Sequence, residues 1–476
     1  MSTPQKMHWW QVWAVYLQPQ ALRMLFLGFS AGLPSVLVAG TLGQRLSEAQ
    51  IDINEITMLS LVGLAYSFKW AWSPFVDKIS IPLLTPCLGR RRSWMLLAQL
   101  GIFIGLVGMA LTNVEQGLMA MVFFALLVAF SSATQDIALD AYRIESAEMK
   151  MQPALIAMYQ VGFRFAMIWA GAGALWIAAR VQKDNPGYDA NAWEVAYLLM
   201  AASMLVGFIA TLLSPEARHT FKTSPLSGLL SDASGKESIL VRLRNWMLDA
   251  VISPFADFLL RYRKQAVIIL SLIALYRISD IVMGVVANPF YNEMGYTKDQ
   301  IAAVSKIFGL IMTLLGAFVG GMLVMRMGIF RILMLGAIAS AGTNVLFSLL
   351  AIFINDLDVF NIAFSFLGMD VAVSGKVLAL MAVISMDNLS GGIASAAFLG
   401  YLSSLTNIQF SATQYALFSS LMSLIPKTLG GFSGFFVKAF DYPTFFVATA
   451  LLGIPVLFLV HLASRVYEYS PTVQVK

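Results

Sequence analysis

Apolar residues fall into long runs separated by short polar breaks. Runs long enough to cross a membrane lie near 21–44, 56–76, 94–112, 118–142, 153–178 and 193–213. A polar interval with Ser-Pro and basic residues occupies 214–264. Six more runs follow near 265–290, 299–324, 331–354, 371–402, 411–437 and 443–463. A bilayer-crossing helix needs roughly 20 predominantly apolar residues, so the pattern predicts twelve membrane helices. Six spans, a linker and six spans predict an all-α integral membrane protein with two pseudo-symmetric six-helix halves, 1–213 and 265–476, joined by 214–264.

The halves echo each other in detail. Ile56-Thr-Met-Leu-Ser60-Leu-Val-Gly63-Leu resembles Ile301-Ala-Ala-Val-Ser305-Lys-Ile-Phe-Gly309-Leu, and each opens the second span of its half. Both of those spans end in a basic turn: Asp77-Lys78 with Gly89-Arg90-Arg91-Arg92, and Arg326-Met-Gly328-Ile-Phe-Arg331. Asp77, Arg90, Arg91 and Arg92 are gating candidates. Ala170-Gly171-Ala172-Gly173 in span 5 is matched by Gly430-Gly431-Phe432-Ser433-Gly434 in span 11. Such small residues serve close helix packing. Gly28, Gly32 and Pro34 in span 1, and Asn288-Pro289 in span 7, are suited to bending.

Composition agrees with lipid as the solvent. The chain is 59% hydrophobic and only 12% charged, with mean hydropathy +0.76, whereas soluble domains run near 25% charged. If both termini are cytoplasmic, cytoplasmic segments hold 20 of the 31 Lys and Arg. The opposite side holds six: Arg45, Arg180, Lys183, Lys298, Lys376 and Lys438. That imbalance fixes the expected orientation, with the linker inside. The net charge of +5 is spread over loops and does not form a nucleic-acid footprint. Cys87 is the only cysteine, which excludes an intrachain disulfide and a Cys-based metal cluster. The N-terminus lacks the sections of a cleavable signal peptide, so the first span is expected to act as the anchor.

Among the ionisable residues inside the predicted spans, nine stand out: Lys69, Asp136, Asp140, Arg164, Arg277, Asp280, Lys306, Asp387 and Lys427. Each costs roughly 2.5–3.5 kcal/mol on insertion scales. They must face a wet cavity or one another, and a single central cavity is expected. Asp136 and Asp140 share a helical face at i,i+4. Two carboxylates in a partly desolvated site cannot both ionise easily, so one is suited to take up and release a proton. Pairing of Asp140 with Arg143 or Arg164 is the alternative. Asp280 and Asp387 are further proton-coupling candidates. Arg164, Arg277, Lys306, Lys427 and Lys69 are candidates for binding an anionic cargo, and Arg164 presents a fork for carboxylate. Arg277 and Asp280, at i,i+3, can equally form a local ion pair. Tyr66 and Trp70 flank Lys69 and can stack on sugar rings, although packing explains them as well.

At these residues the chain resembles the AmpG muropeptide permeases of the major facilitator superfamily. The most specific stretches are Gly28-Phe-Ser-Ala-Gly32-Leu-Pro34, Tyr66-Ser-Phe-Lys69-Trp-Ala-Trp-Ser73-Pro74, Gly89-Arg-Arg-Arg-Ser-Trp94 and Gln135-Asp136 through Asp140-Ala-Tyr. Asp387-Asn388-Leu-Ser-Gly391-Gly392 and Phe410-Ser-Ala-Thr-Gln414-Tyr-Ala complete the set. Gln135 and Asn388 thereby join the substrate-binding candidates. Span 11 departs from the pattern, with Pro426-Lys427 where the resemblance implies Gly-Arg.

The resemblance implies proton-driven import of N-acetylglucosaminyl-1,6-anhydro-N-acetylmuramyl peptides across the inner membrane of a Gram-negative bacterium. It also implies a role in cell-wall recycling and β-lactamase induction. No cofactor beyond the proton gradient is implied, and a monomer is expected. A sibling carrier for another large anion, such as acetyl-CoA, is the alternative. A membrane enzyme finds little support, because His8, His219 and His461 all lie near span ends or in the linker. A passive channel fits a two-half repeat less well than a rocking carrier does.

Overall fold

The computed structural model describes residues 9–51, 60–114, 117–182, 188–216, 251–357, 361–366 and 369–469. Its long helical segments are α1 (Pro19–Glu48), α2 (a broken run over 60–78), α3 (Arg90–Leu111), α4 (Leu118–Ser146), α5 (Gln152–Val181) and α6 (Ala190–Leu213). They continue with α7 (Ser253–Glu293), α8 (Ala303–Met327), α9 (Ile329–Asp356), α10 (Gly375–Leu405), α11 (Ser411–Gly430) and α12 (Tyr442–Arg465). Ten of these, all but α2 and α11, are helices among the described residues that are long and apolar enough to cross a membrane. The second expected span begins outside the described residues, as does the first half of its repeat. From Ser60 it runs as alternating tight and α-helical turns. The eleventh is a 20-residue helix with Pro426 inside it.

Two boundaries differ from the sequence reading. The helix Ser253–Tyr262 lies within the interval expected to be linker, and in it Asp257 pairs with Arg261 at 2.9 Å. Ahead of α10, strand Asn361–Phe366 pairs antiparallel with Met369–Ser374. The register sets Ile362, Phe364 and Phe366 opposite Val373, Val371 and Met369, and the smaller residues opposite one another. That period of two is a strand signal; the first strand falls between expected spans 9 and 10, and only 371–374 of the second lies in an expected span.

By its contacts the chain forms two compact units. One holds Trp13–Arg261 with Ser403–Ser420; the other holds Tyr262–Leu402 with Leu421–Lys476. In the first unit α1 packs closely along the Gln152–Ile168 part of α5, and α3 packs on α4 and α6. The α1–α5 crossing explains its glycines. A Cβ at Gly28 would strike the carbonyl oxygen of Tyr159, one at Gly32 that of Phe163, and one at Gly162 that of Leu25. Gly28 and Gly32 therefore admit a neighbouring backbone. The break in α1 falls just past Pro34, at Val38–Ala39. Gly162→Val should force α1 and α5 apart, at a cost of about 3 kcal/mol or more. Thermal unfolding in detergent should register it. Gly171→Ala should pass nearly unnoticed, since its added Cβ meets only Val36 Cγ1 at 3.6 Å.

The second unit uses the same device between α8 and α10. Gly316 faces the Leu389 carbonyl, Gly392 faces the Thr313 carbonyl, and Gly320 lies against Ile393. Phe290, Phe347 and Phe446 tie α7, α9 and α12 together, with Phe290 and Phe446 centroids 5.0 Å apart. The internal repeat survives in backbone geometry. Gly89 (φ +83°, ψ 170°) and Gly328 (φ +87°, ψ 158°) each stand directly before a helix start, in a conformation that L side chains rarely adopt.

Candidate functional site

In the first unit, charges from α2 and α4 form a chain. Lys69, 9% exposed, approaches Asp140 Oδ2 at 4.0 Å, and Arg143 Nη2 donates to Asp140 Oδ1 at 3.3 Å. Arg143 also donates to Gln152 Oε1 and Ser403 Oγ, both at 2.9 Å, and lies over the Tyr415 ring at 5.0 Å. Asp140 therefore has two cations. Asp136, one turn earlier, is placed differently. Its Oδ1 is buried with no hydrogen-bond partner, as is Gln135 Oε1. Gln135 Nε2 donates to Ser30 Oγ at 2.7 Å. Arg164 is half-buried on α5, with Nη1 4.0 Å from Met167 Sδ. Trp70 is exposed.

A second cluster lies where α2, α3 and α4 meet the start of α11. Arg91, 1% exposed, donates from Nη2 to Asp77 Oδ1 at 2.7 Å, to Glu145 Oε1 at 2.6 Å and to Ser411 Oγ at 2.9 Å. Its Nε donates to both Glu145 oxygens, at 3.0 and 3.1 Å. Ser411 Oγ in turn donates to Glu145. Asp77 Oδ2 accepts from Thr413 N at 2.7 Å and Thr413 Oγ1 at 2.6 Å, while Oδ1 accepts from Ala412 N at 3.3 Å. Asp77 thus caps the N-terminus of α11, where unpaired amides and the helix dipole favour an anion. Arg90 donates to the Asp77 carbonyl, and Arg92 caps the end of α6 at the Thr211 and Leu212 carbonyls, 3.1 and 2.6 Å away. Glu216 accepts from the amides of Arg91 and Arg92 at 2.8 and 3.3 Å. Burial pushes its carboxyl up from the ordinary range, against those two donors, which pull it down.

In the second unit Arg277 Nε pairs with Asp280 Oδ2 at 3.1 Å. Arg277 Nη1 donates to the Gly391 carbonyl at 3.1 Å and to Ser395 Oγ, so the local pair also grips α10. Asp387 Oδ1 accepts from Thr343 at 3.0 Å, and Asn388 Oδ1 accepts from Thr313 at 2.7 Å. Lys427 is exposed. Lys306 lies on the turn Ala302–Phe308, where the helix widens to a π-type pitch, and its side chain is outside the described residues.

The four gating candidates thus gather in one cluster, and Lys69 lies 4.0 Å from Asp140 while Asp136 Oδ1 has no hydrogen-bond partner. Of the two cations weighed for Asp140, Arg143 pairs with it. Sequence reasoning missed Glu145, Glu216, Ser411 and Thr413 as members of these networks. Ser411 and Thr413 stood inside a quoted motif. Glu145 carried no signal beyond lying just past the expected end of span 4. Among the described residues, no group of three or more His, Cys, Asp or Glu could hold a metal ion.

Long apolar helices, a sequence repeat between the two halves and ionisable residues on seven of the expected spans are the marks of a membrane carrier. Residues 21–388 match the Major Facilitator Superfamily. The chain is 32% identical to a putative transporter AmpG 4 of Rickettsia conorii, over 94% of this chain and 96% of that one. It is 31% identical to the anhydromuropeptide permease of Escherichia coli K12, over 96% of this chain and 82% of that one. In fold it is similar to the proton:xylose symporter XylE, with a TM-score of 0.58 at 13% identity, covering 97% and 96% of the two chains. The human organic anion transporter MFSD10 gives a TM-score of 0.56 at 13% identity, covering 94% of this chain and 98% of that one. The chain belongs to the major facilitator superfamily and, within it, to the AmpG permease family. It is a transporter and not an enzyme.

Proposed function

We propose that this transporter imports anhydromuropeptides together with protons, from periplasm to cytoplasm, and so serves peptidoglycan recycling. In this reading the protein is a monomer in the inner membrane of a Gram-negative bacterium, with both termini cytoplasmic. The observation that carries it is likeness to the anhydromuropeptide permease across 96% of this chain. Acids and bases within the spans support it. Asp136 is the proton carrier, and Arg164 and Lys69 are cations that meet the stem-peptide carboxylates. The deciding measurement is uptake into proteoliposomes under an imposed pH gradient. Labelled disaccharide-peptide, anhydro-disaccharide alone and acetyl-CoA would be compared. Preference for acetyl-CoA, or no response to the gradient, would sink the proposal.

The same assay tests Arg164. Removing one member of a desolvated charge pair costs about 2–5 kcal/mol, so Arg164→Ala should weaken peptide-substrate affinity by roughly thirtyfold or more. Arg164→Lys keeps the charge, loses the fork and should fall between. Transport of the disaccharide alone should change little. Equal losses with and without the peptide would mean that Arg164 holds helices and does not read cargo.

A further inference from the structure

The turn from Ser403 to Gln414 is gripped from two sides within one unit. The first grip is the Asp77–Arg91–Glu145 cluster on Ser411 and Thr413, with Arg143 on Ser403. The second comes from the helix Ser253–Tyr262. Gln414, 2% exposed, donates from Nε2 to Asp257 Oδ2 at 2.9 Å and to the Pro254 carbonyl at 2.8 Å. Its Oε1 accepts from Asn407 N at 2.8 Å and from Arg261 Nη2 at 3.1 Å. All four hydrogen-bonding positions of the amide are used. Asp257 also accepts from Asn407 Nδ2 at 3.1 Å and from Arg261 at 2.9 Å, and Arg261 donates to the Leu405 carbonyl at 3.1 Å.

No bond of this second network involves Asp77, Arg91 or Glu145. It fixes the shape of the turn that carries Ser411 and Thr413, whereas the first grip fixes only where those two residues bind. We propose that Asp257 and Gln414 are positioning residues for the gate. Through the linker-end helix they hold the start of α11 in the conformation that Arg91 and Asp77 recognise. The inference rests on reading the Asp77–Arg91 cluster as the gate.

The physical demand is specific, because only an amide at 414 supplies two donors to one side and two acceptor positions to the other. Gln414→Glu sets a carboxylate against Asp257 and removes both donors. Asp257→Asn restores a donor towards that carboxylate. The full-length chain in proteoliposomes provides the test, with rates expressed per folded molecule. Gln414→Glu should lower the maximal rate of muropeptide uptake about tenfold and leave KM nearly unchanged. Asp257→Asn/Gln414→Glu should return to within about threefold of wild type. A second readout needs no cargo. With Cys87→Ser as background, maleimide labelling of Ser404→Cys should accelerate in Gln414→Glu and slow again in the double variant. A double variant no better than Gln414→Glu in rate and labelling would overturn the proposal. So would a loss explained wholly by folded amount. If instead Arg91→Ala transports normally, it is the gate reading that fails.

Discussion

Asp136→Asn is expected to reduce gradient-driven uptake to background while leaving expression and counterflow exchange near wild type. The substitution keeps size and shape and removes only the titratable proton. Asp136 is suited to this role because its Oδ1 is buried without a partner, whereas Asp140 on the same face is held by Lys69 and Arg143. A buried carboxyl oxygen with no donor is costly as a fixed anion and is relieved by taking up a proton or a ligand. Counterflow needs no net proton movement, so it should survive. Asp140→Asn should behave differently. It strips two cations of their anion and should lower folded yield as well as rate. Uptake by Asp136→Asn that still follows the gradient would make Asp136 structural and move attention to Asp140, Asp280 and Asp387.

Much of the architecture was written in local sequence, because a membrane helix needs only length and apolarity. The two spans hardest to see as continuous helices, α2 and α11, carry the local exceptions: tight turns around Lys69 in one and Pro426 in the other. The end of the hairpin before α10 was hidden in an expected span because hydropathy averaging does not separate period two from period 3.6. Gly28 and Gly32 looked like hinges, since a glycine says that a Cβ is unwelcome but not what occupies its place. Only the crossing of α5 identifies that occupant as backbone. The Asp77–Arg91 cluster shows the same limit. Asp77 and Arg91 lie in a charged turn that any reading notices. Their partners Ser411 and Thr413 lie more than 300 positions away and are ordinary polar residues until the fold brings them together. Asp136 and Asp140 were legible as a pair by spacing alone. Their different surroundings were not, because Lys69 comes from another helix.

Breaking the Asp77–Arg91–Glu145 cluster at Arg91 should produce the second large effect. Arg91 is buried between Asp77 and Glu145, with a single guanidinium serving two carboxylates. The α11 amides of Ala412 and Thr413 help to hold the excess negative charge through Asp77. Removing one member of such a buried network typically costs about 3–5 kcal/mol, because the remaining charges lose compensation. Arg91→Ala removes the guanidinium that the two carboxylates share, so the α11 start should detach, and transport should fall by roughly a hundredfold or more. Arg91→Lys should be intermediate, since an ammonium cannot reproduce the paired bonds to Glu145 while also reaching Asp77 and Ser411. The informative variant is Arg91→Ala/Glu145→Gln. It leaves one carboxylate, Asp77, facing the helix end that already caps it, so about half of the lost free energy should return. Labelling of Ser404→Cys would follow the same order, fastest in Arg91→Ala and slower in the double variant. If the double variant is as impaired as Arg91→Ala, the arginine contributes packing and not charge compensation, and the cluster is scaffold.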